Sequence, residues 1–157
     1  MTNQDYANRT FLALCLWREA RGEDTLARIG VAMAVMNRVN RPSWWGKNLT
    51  EVLFKKWQFS SLTDPNDRQL TTWPLPNDRS WQECLDLACR VLDNAIENLV
   101  PGADSYFDIS IPADKWPKWT ATARFVCQLG RIRFYDVDHD HELDAKSPLP
   151  PFDKGGE

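Results

Sequence analysis

One carboxylate in this sequence stands where an apolar helix ends. The stretch LCLWREARGED, residues 14–24, places Glu19 between Arg18 and Arg21 and shortly before Gly22. On a helix, Glu19 shares a face with three apolar residues, Leu12, Cys15 and Leu16,. Apolar neighbours and the negative end of the helix dipole both disfavour a charged carboxylate, so we expect its pKa to be raised. A carboxyl group that stays protonated near neutral pH is what a glycosidic general acid requires.

A structural interpretation of Glu19 is also open. Its carboxylate can pair with Arg21 or another arginine and merely close the helix, and geometry alone favours this pairing. Glu23 lies four residues further on, past the glycine. It is either a partner of Glu19 or the acidic start of the next helix, and the second interpretation is favoured.

Two predicted helices position Glu19. The first covers residues 5–21, and the second runs from Asp24 or Thr25 to about Val39,. The second helix is apolar on nearly every side, which predicts that it is buried. Three small residues form a row on it and predict the close approach of a neighbouring helix: Ala27, Gly30 and Ala34.

Shorter elements are predicted around this helix pair. Thr50 is predicted to cap a short helix, TEVLFKKW, and Ser80 with Glu83 forms a capping box for a helix to about Leu99,. Residues 60–79 contain three prolines and little periodicity. They are therefore predicted to form a long surface loop and one wall of a cleft.

The C-terminal part of the chain predicts a small β element followed by a tail. ADSYFDIS is short and extended, and the strands on either side of Leu129 and Gly130 form a predicted hairpin,. After Asp136 the sequence becomes polar and rich in proline, so residues 137–157 are predicted to be a loosely held tail. Residues 1–136 then form one domain, mainly α (an α+β chain) with a small β-hairpin.

Composition limits the class of protein. The chain has 157 residues, of which 43% are hydrophobic and 26% charged, as in one soluble globular domain,. Its net charge of -3 argues against nucleic-acid binding, which usually needs a clustered basic excess,. No apolar run is long enough to span a bilayer, and the N-terminus has no secretory pattern. We therefore expect no membrane insertion and a protein that is cytoplasmic as synthesised.

Cysteine and tryptophan give weaker indications. The four cysteines lack C-x-x-C spacing, and three lie in apolar patterns, so buried thiols are favoured over disulfides or a zinc site,. There are eight tryptophans. About half are expected to fill the core, and the others lie in loop-like stretches where exposed indoles suit stacking on sugar rings.

Several segments, taken in order, resemble a known family. WREARGE followed by ARIGVAMAVMNRV resembles the start of the SleB-type cell wall hydrolases, which have E-A-R-G-E and then a small-residue helix ending in N-R-V. Gln58, Phe59 and Ser60 resemble the family's Q-F-S. PGADSYF, KWPKW and LGRIRFY resemble its G-A-x-x-F/Y, P-x-W and I-G-x-H-x-F-Y segments. The resemblance covers residues 11–136, with Ile132 where the family often has histidine,.

The resemblance implies a fold similar to the lysozyme-like lytic transglycosylases. It implies cleavage of peptidoglycan between N-acetylmuramic acid and N-acetylglucosamine, with Glu19 as the catalytic acid and base and no cofactor. The C6 hydroxyl of the substrate would then supply the attacking group and leave a 1,6-anhydro end. Two alternatives stay open: a lysozyme-type muramidase that hydrolyses the same bond, and a glycan-binding module without activity. Asp104 and Asp108 are possible second carboxylates for hydrolysis, although solvated turn acids are the favoured interpretation.

Predicted substrate contacts follow the same motifs. Gln58 can hydrogen-bond a sugar acetamide or a backbone group, and Phe59 is predicted to pack beneath the cleft. Aromatic side chains suit sugar stacking, although nearly all of these also suit a core. The predicted substrate-binding residues are Gln58, Phe59, Ser60, Tyr106, Trp116, Trp119 and Tyr135.

Partner and setting follow from these inferences. The expected partner is the peptidoglycan glycan strand, and a monomer is expected. A short chain without an export signal or an obvious wall-anchoring module suggests a phage-type or prophage lysin, an endolysin released through a separate membrane pore. His139 and His141 lie among acidic residues in DHDHE, a pattern that can bind a divalent metal,. Alternating histidines in a polar tail are more often solvated, so no metal site is predicted.

Overall fold

A computed structural model describes residues 1–138. Within these residues, five α-helices precede a three-stranded sheet, which confirms the mainly α fold with a small β element. The helices are α1 (Asn3–Ala20), α2 (Thr25–Asn40), α3 (Leu49–Leu53), α4 (Ser60–Thr63) and α5 (Arg79–Leu92). The strands are β1 (Ser105–Asp108), β2 (Arg124–Leu129) and β3 (Ile132–Asp136). Short 3-10 helices cover Arg68–Thr71, Ala113–Lys115 and Lys118–Ala121.

The first two helices match their predicted positions closely. Thr2 caps α1 through a capping box with Asp5,. Asp24 caps α2, and its Oδ1 accepts a hydrogen bond from the Ala27 backbone N–H at 2.8 Å,. The chain between them is short, so the C-terminal end of α1 lies beside the N-terminal end of α2. That junction carries Glu19.

For two helices, α3 and α5, both the predicted start and the predicted end are wrong. Asn48, rather than Thr50, caps α3, which stops at Leu53. Phe54 is already the C-cap, and Trp57, at the end of the predicted helix, has a φ of 71°, outside the helical region,. Likewise Asp78, rather than the Ser80–Glu83 pair, caps α5.

The fifth helix also ends earlier than predicted. At the start of α5, the carboxylate of Glu83 accepts hydrogen bonds from Arg28 and Arg79 and so does not form the predicted capping box. The helix stops at Leu92, and Asn94 has a φ of 55°, which turns the chain out of the helical direction,.

The sheet has the order β1-β3-β2, and both strand pairs are antiparallel. The hairpin predicted around Leu129 and Gly130 is confirmed: Leu129 pairs with Ile132, and Gly130 takes the left-handed φ of 58° that the tight turn needs,. The ADSYFDIS segment supplies β1, which pairs with the other edge of β3. The β element is therefore a three-stranded sheet rather than an isolated hairpin.

Gly30, in the small-residue row on α2, contacts this sheet. A Cβ atom on Gly30 would lie 2.8 Å from Cε2 of Phe134 and 3.0 Å from Cδ1 of Leu129. The expected helix neighbour is therefore wrong at this position: strands β2 and β3 pack there. Only a glycine allows the Phe134 ring to come this close.

Residues 60–79 are more ordered than the predicted loop. They contain α4 and the 3-10 helix Arg68–Thr71, and Ser61 and Leu62 are buried. The predicted tail begins at residue 137, and residues 139–157, with His139 and His141, lie outside the described part of the chain. No helix within residues 1–138 is both long enough and apolar enough to cross a bilayer,.

Candidate active site

Glu19 is held by a serine on another helix. It lies in the last turn of α1 and is half-buried, and its Oε2 atom is shielded from solvent. The hydroxyl of Ser61, on α4, donates a hydrogen bond to Oε1 of Glu19 at 2.9 Å. Ser61 is fully buried, so this hydroxyl is fixed in place. The sequence motif indicated Ser60 as the site residue, whereas the neighbouring serine makes the contact.

Ser60 holds a second carboxylate. Its hydroxyl donates a hydrogen bond to Oδ2 of Asp67 at 2.7 Å, while Oδ1 of Asp67 accepts one from the Gln69 backbone N–H. Successive residues of a helix point about 100° apart, so two consecutive serines reach different partners. The short helix α4 therefore orients two carboxylates, Glu19 and Asp67. No sequence pattern indicated Asp67.

Arg18 links these elements together. Its Nε donates to the carbonyl oxygen of Thr72 at 3.1 Å, and an Nη donates to that of Ser61 at 3.0 Å. The guanidinium carbon lies 4.7 Å from the ring centroid of Trp73. Burial lowers the pKa of Arg18 from its usual value, and nearby Asp67 opposes that effect,. The side chain thus joins the end of α1 to residues 61–73.

Arg21 makes different contacts from the predicted pairing. Its guanidinium donates to the Trp17 carbonyl oxygen at 3.0 Å and to Oε1 of Gln69 at 2.9 Å. It also lies 4.1 Å from the Trp17 ring centroid. The hydrogen bonds that the structure gives Arg21 therefore go to Trp17 and Gln69 rather than to Glu19.

Glu23 belongs to a contact with the hairpin. It precedes the N-cap Asp24, and its carboxylate accepts a hydrogen bond from Arg131 at 2.9 Å. This contact docks the β2–β3 turn beside the end of α1. Ile132, the residue at the family's histidine position, is buried in the core at 5% exposure.

Gln58 and Phe59 lie inside the protein. Both are buried, and Oε1 of Gln58 accepts a hydrogen bond from the buried Arg38 at 2.8 Å. Burial lowers the pKa of Arg38 to about 10,. Phe59 immediately precedes α4, so its packing fits the predicted place beneath the site. Sugar contacts from either residue stay a prediction.

Three predicted aromatic residues meet at one face of the sheet. Trp116 lies 5.0 Å from Phe107, and Trp119 lies 5.2 Å from Tyr135, between ring centroids. Trp116 also donates its indole N–H to the Ile111 carbonyl oxygen. Trp116 and Trp119 are half-buried and Tyr135 is buried. The two tryptophans keep some surface for a ligand.

Tyr106 is separated from this aromatic cluster. It is buried at 2% exposure and packs against Phe134, 5.9 Å away between ring centroids. Alternate residues of a strand face opposite sides of the sheet, so Tyr106 and Phe107 point in opposite directions. The structure places Tyr106 in the main core.

The two aspartates considered as second carboxylates are not solvated. Asp104 is fully buried, and its carboxylate accepts hydrogen bonds from the backbone N–H groups of Val137 and Asp138. Burial raises its pKa, against the opposing effect of hydrogen bonds and Arg38,. Asp108 is also buried, with Oδ1 accepting from the Ser110 N–H. Both carboxylates hold the backbone, which corrects the interpretation of solvated turn acids.

Cysteines and acidic residues form no obvious metal site within residues 1–138. No group of three or more His, Cys, Asp or Glu side chains there is arranged to hold an ion. Cys15, Cys84, Cys89 and Cys127 all lie in this region, and no disulfide joins any of them. Burial raises the pKa of the Cys84 thiol to about 11, which makes it unreactive near neutral pH,.

Comparisons with known proteins indicate the family and the fold. A family model described as Cell Wall Hydrolase matches residues 22–135. The catalytic domain of the germination-specific lytic transglycosylase SleB from Bacillus anthracis superposes with a TM-score of 0.60 and 21% sequence identity. The superposition covers 86% of this chain and 96% of that one, and at this identity it shows a shared fold. No curated protein matches the chain.

Proposed function

Since the chain belongs to the cell wall hydrolase family, we propose that it cleaves peptidoglycan glycan strands with Glu19 as general acid and base. The observation that carries this proposal is the hydrogen bond from the buried Ser61 hydroxyl to Glu19 at 2.9 Å. It fixes a half-buried carboxyl group at the end of α1. General acid catalysis needs this combination of fixed direction and partial exclusion of water.

The proposed reaction uses one carboxyl group twice. Protonated Glu19 gives its proton to the oxygen that bridges C1 of N-acetylmuramic acid and C4 of N-acetylglucosamine, and the C1–O bond breaks. The released N-acetylglucosamine carries a C4 hydroxyl. The C6 hydroxyl of the muramic acid then attacks its own C1, and Glu19 takes the proton from that hydroxyl. A 1,6-anhydro ring forms, no water is consumed and Glu19 is protonated again.

Two features support the single-carboxylate route. The carboxylates of Asp104 and Asp108 are buried and hold backbone N–H groups, so they are committed to the fold rather than to a reacting sugar. The fold is also shared with a protein described as a lytic transglycosylase.

Hydrolysis of the same bond is the alternative, and Asp67 is the residue that favours it. Glu19 and Asp67 are bonded to consecutive serines, so the site offers a second carboxylate that could activate water,. Asp67→Asn should then abolish cleavage as strongly as Glu19→Gln. Under the transglycosylase proposal, Asp67→Asn keeps cleavage and changes at most its rate.

Product analysis tests the proposal directly. Purified sacculi are digested and the soluble products are separated and weighed by mass spectrometry. We expect fragments that end in 1,6-anhydro-muramic acid, lighter by one water than the hydrolytic products. Reducing ends would favour the muramidase. Binding to sacculi without loss of turbidity would instead favour a glycan-binding module. We also propose that the protein reaches the cell wall through a separate membrane pore, as a phage lysin does.

A further inference from the structure

An exposed tryptophan lies beside the proposed catalytic site. Trp73 follows the 3-10 helix Arg68–Thr71 and is 67% exposed, which is unusual for so large an apolar side chain,. The guanidinium of Arg18 covers part of the indole, 4.7 Å from its ring centroid. Since two-thirds of the side chain stays exposed, the face away from Arg18 is open to solvent.

Contacts tie this indole to Glu19 over a short path. Arg18 directly precedes Glu19 on α1 and is itself buried, with 6% exposure. It donates hydrogen bonds to the carbonyl oxygens of Thr72 and Ser61, and the Ser61 hydroxyl binds Glu19. The indole is therefore linked to the carboxyl group of Glu19 through Arg18 and Ser61.

We propose that the open face of Trp73 is a pyranose-binding subsite next to Glu19, held in place by Arg18. This inference rests on the proposed function, because it names the ring that receives a sugar of the same glycan strand. A pyranose has an apolar face of C–H groups, and a flat indole offers matching apolar surface of fixed orientation. Arg18 contacts Trp73 and the Ser61 backbone rather than the sugar, which makes it a positioning residue.

The fixed arrangement has a mechanistic consequence. When a sugar stacks on Trp73, the strand is held in one register, and a particular glycosidic bond is presented to Glu19. Free rotation of an exposed indole would lose this advantage. The stacked guanidinium removes that freedom in advance, so less conformational entropy is lost on binding.

To test the proposed subsite, binding is measured separately from cleavage. In a Glu19→Gln background, which removes turnover, the affinity for soluble peptidoglycan tetrasaccharide is determined by calorimetry with and without Trp73→Ala. We expect about tenfold weaker binding on loss of the indole and a smaller loss for Trp73→Phe. Tyr6→Ala is the matched control, since Tyr6 is also exposed and lies about 20 Å along α1 from Glu19,. It should bind as the parent does.

Arg18 is tested by a second variant. Arg18→Lys removes the planar stack on Trp73, and we expect it to weaken binding while adding little to the effect of Trp73→Ala in the double variant. If Arg18→Lys does not fold, the Trp73 variants still test the proposed subsite. Unchanged affinity of Trp73→Ala overturns the subsite. If the parent binds the tetrasaccharide but the unmutated protein never cleaves sacculi, the proposed reaction fails while the subsite stands.

Discussion

The hydroxyl of Ser61 donates a hydrogen bond to Oε1 of Glu19 at 2.9 Å, across 42 positions of the chain. This contact joins α4 to the last turn of α1. It turns a carboxyl group at a helix end into one with a fixed direction.

Glu19→Gln should abolish lysis of purified sacculi, with a fall in rate of about a hundredfold or more, because an amide N–H is far too weak an acid to protonate the glycosidic oxygen. Thermal unfolding should change little, since the amide keeps an oxygen for Ser61. The matched control is Glu23→Gln, which removes the negative charge from the ion pair with the exposed Arg131 and should remain active. A large fall in melting temperature with normal lysis would instead support a purely structural carboxylate.

Ser61→Ala should lower the cleavage rate by up to about tenfold, since a hydrogen bond to the neutral, protonated Glu19 contributes about 0.5–1.5 kcal/mol. The fold should persist because the change removes one oxygen atom. Thr63→Ala removes a hydroxyl from the same short helix, where it bonds to the Phe59 carbonyl oxygen. The rate of turbidity loss is measured for both variants. Equal falls in the two rates would contradict the inferred role of Ser61.

Gly30→Ala should destabilise the protein by about 1–3 kcal/mol, the usual cost of overpacking a core. The new methyl group would meet the Phe134 ring, with Cε2 at 2.8 Å. Gly22→Ala is the control: no atom lies within 4 Å of a Cβ placed there. Urea unfolding of the two variants gives the comparison. Equal stability would mean that α2 and the sheet separate more easily than the packing suggests.

Asp104 should make stability depend on pH. Burial raises its pKa in the folded protein above the unfolded value of about 4,. The contribution of Asp104 to the free energy of unfolding is therefore fully present below the unfolded pKa and is lost as the pH rises through the folded pKa. Asp104→Asn cannot titrate, so its unfolding free energy should lack that decline. Urea unfolding from about pH 4 to 7 compares the two slopes, and parallel slopes would contradict the prediction.

Local features of the sequence were sufficient for the main elements. Asp24 capping α2, the glycine turn at Gly130 and the position of Glu19 at the end of α1 all follow from short-range geometry. The wrong helix starts have the same local origin, because Asn48 and Asp78 are also good N-caps and stand close to the predicted ones,.

By itself, the sequence determined that Glu19 stands at the end of the first helix, while its catalytic role was implied by the family resemblance and stays a proposal. Helical periodicity and capping depend on residues a few positions apart, and such patterns can be read along the chain. The tertiary structure decided the partners: Ser61 rather than Ser60 for Glu19, and Thr72 and Trp73 for Arg18. These contacts join positions more than 40 residues apart. They exist only because α4 and the segment after it fold back against the end of α1, a packing that no local spacing encodes.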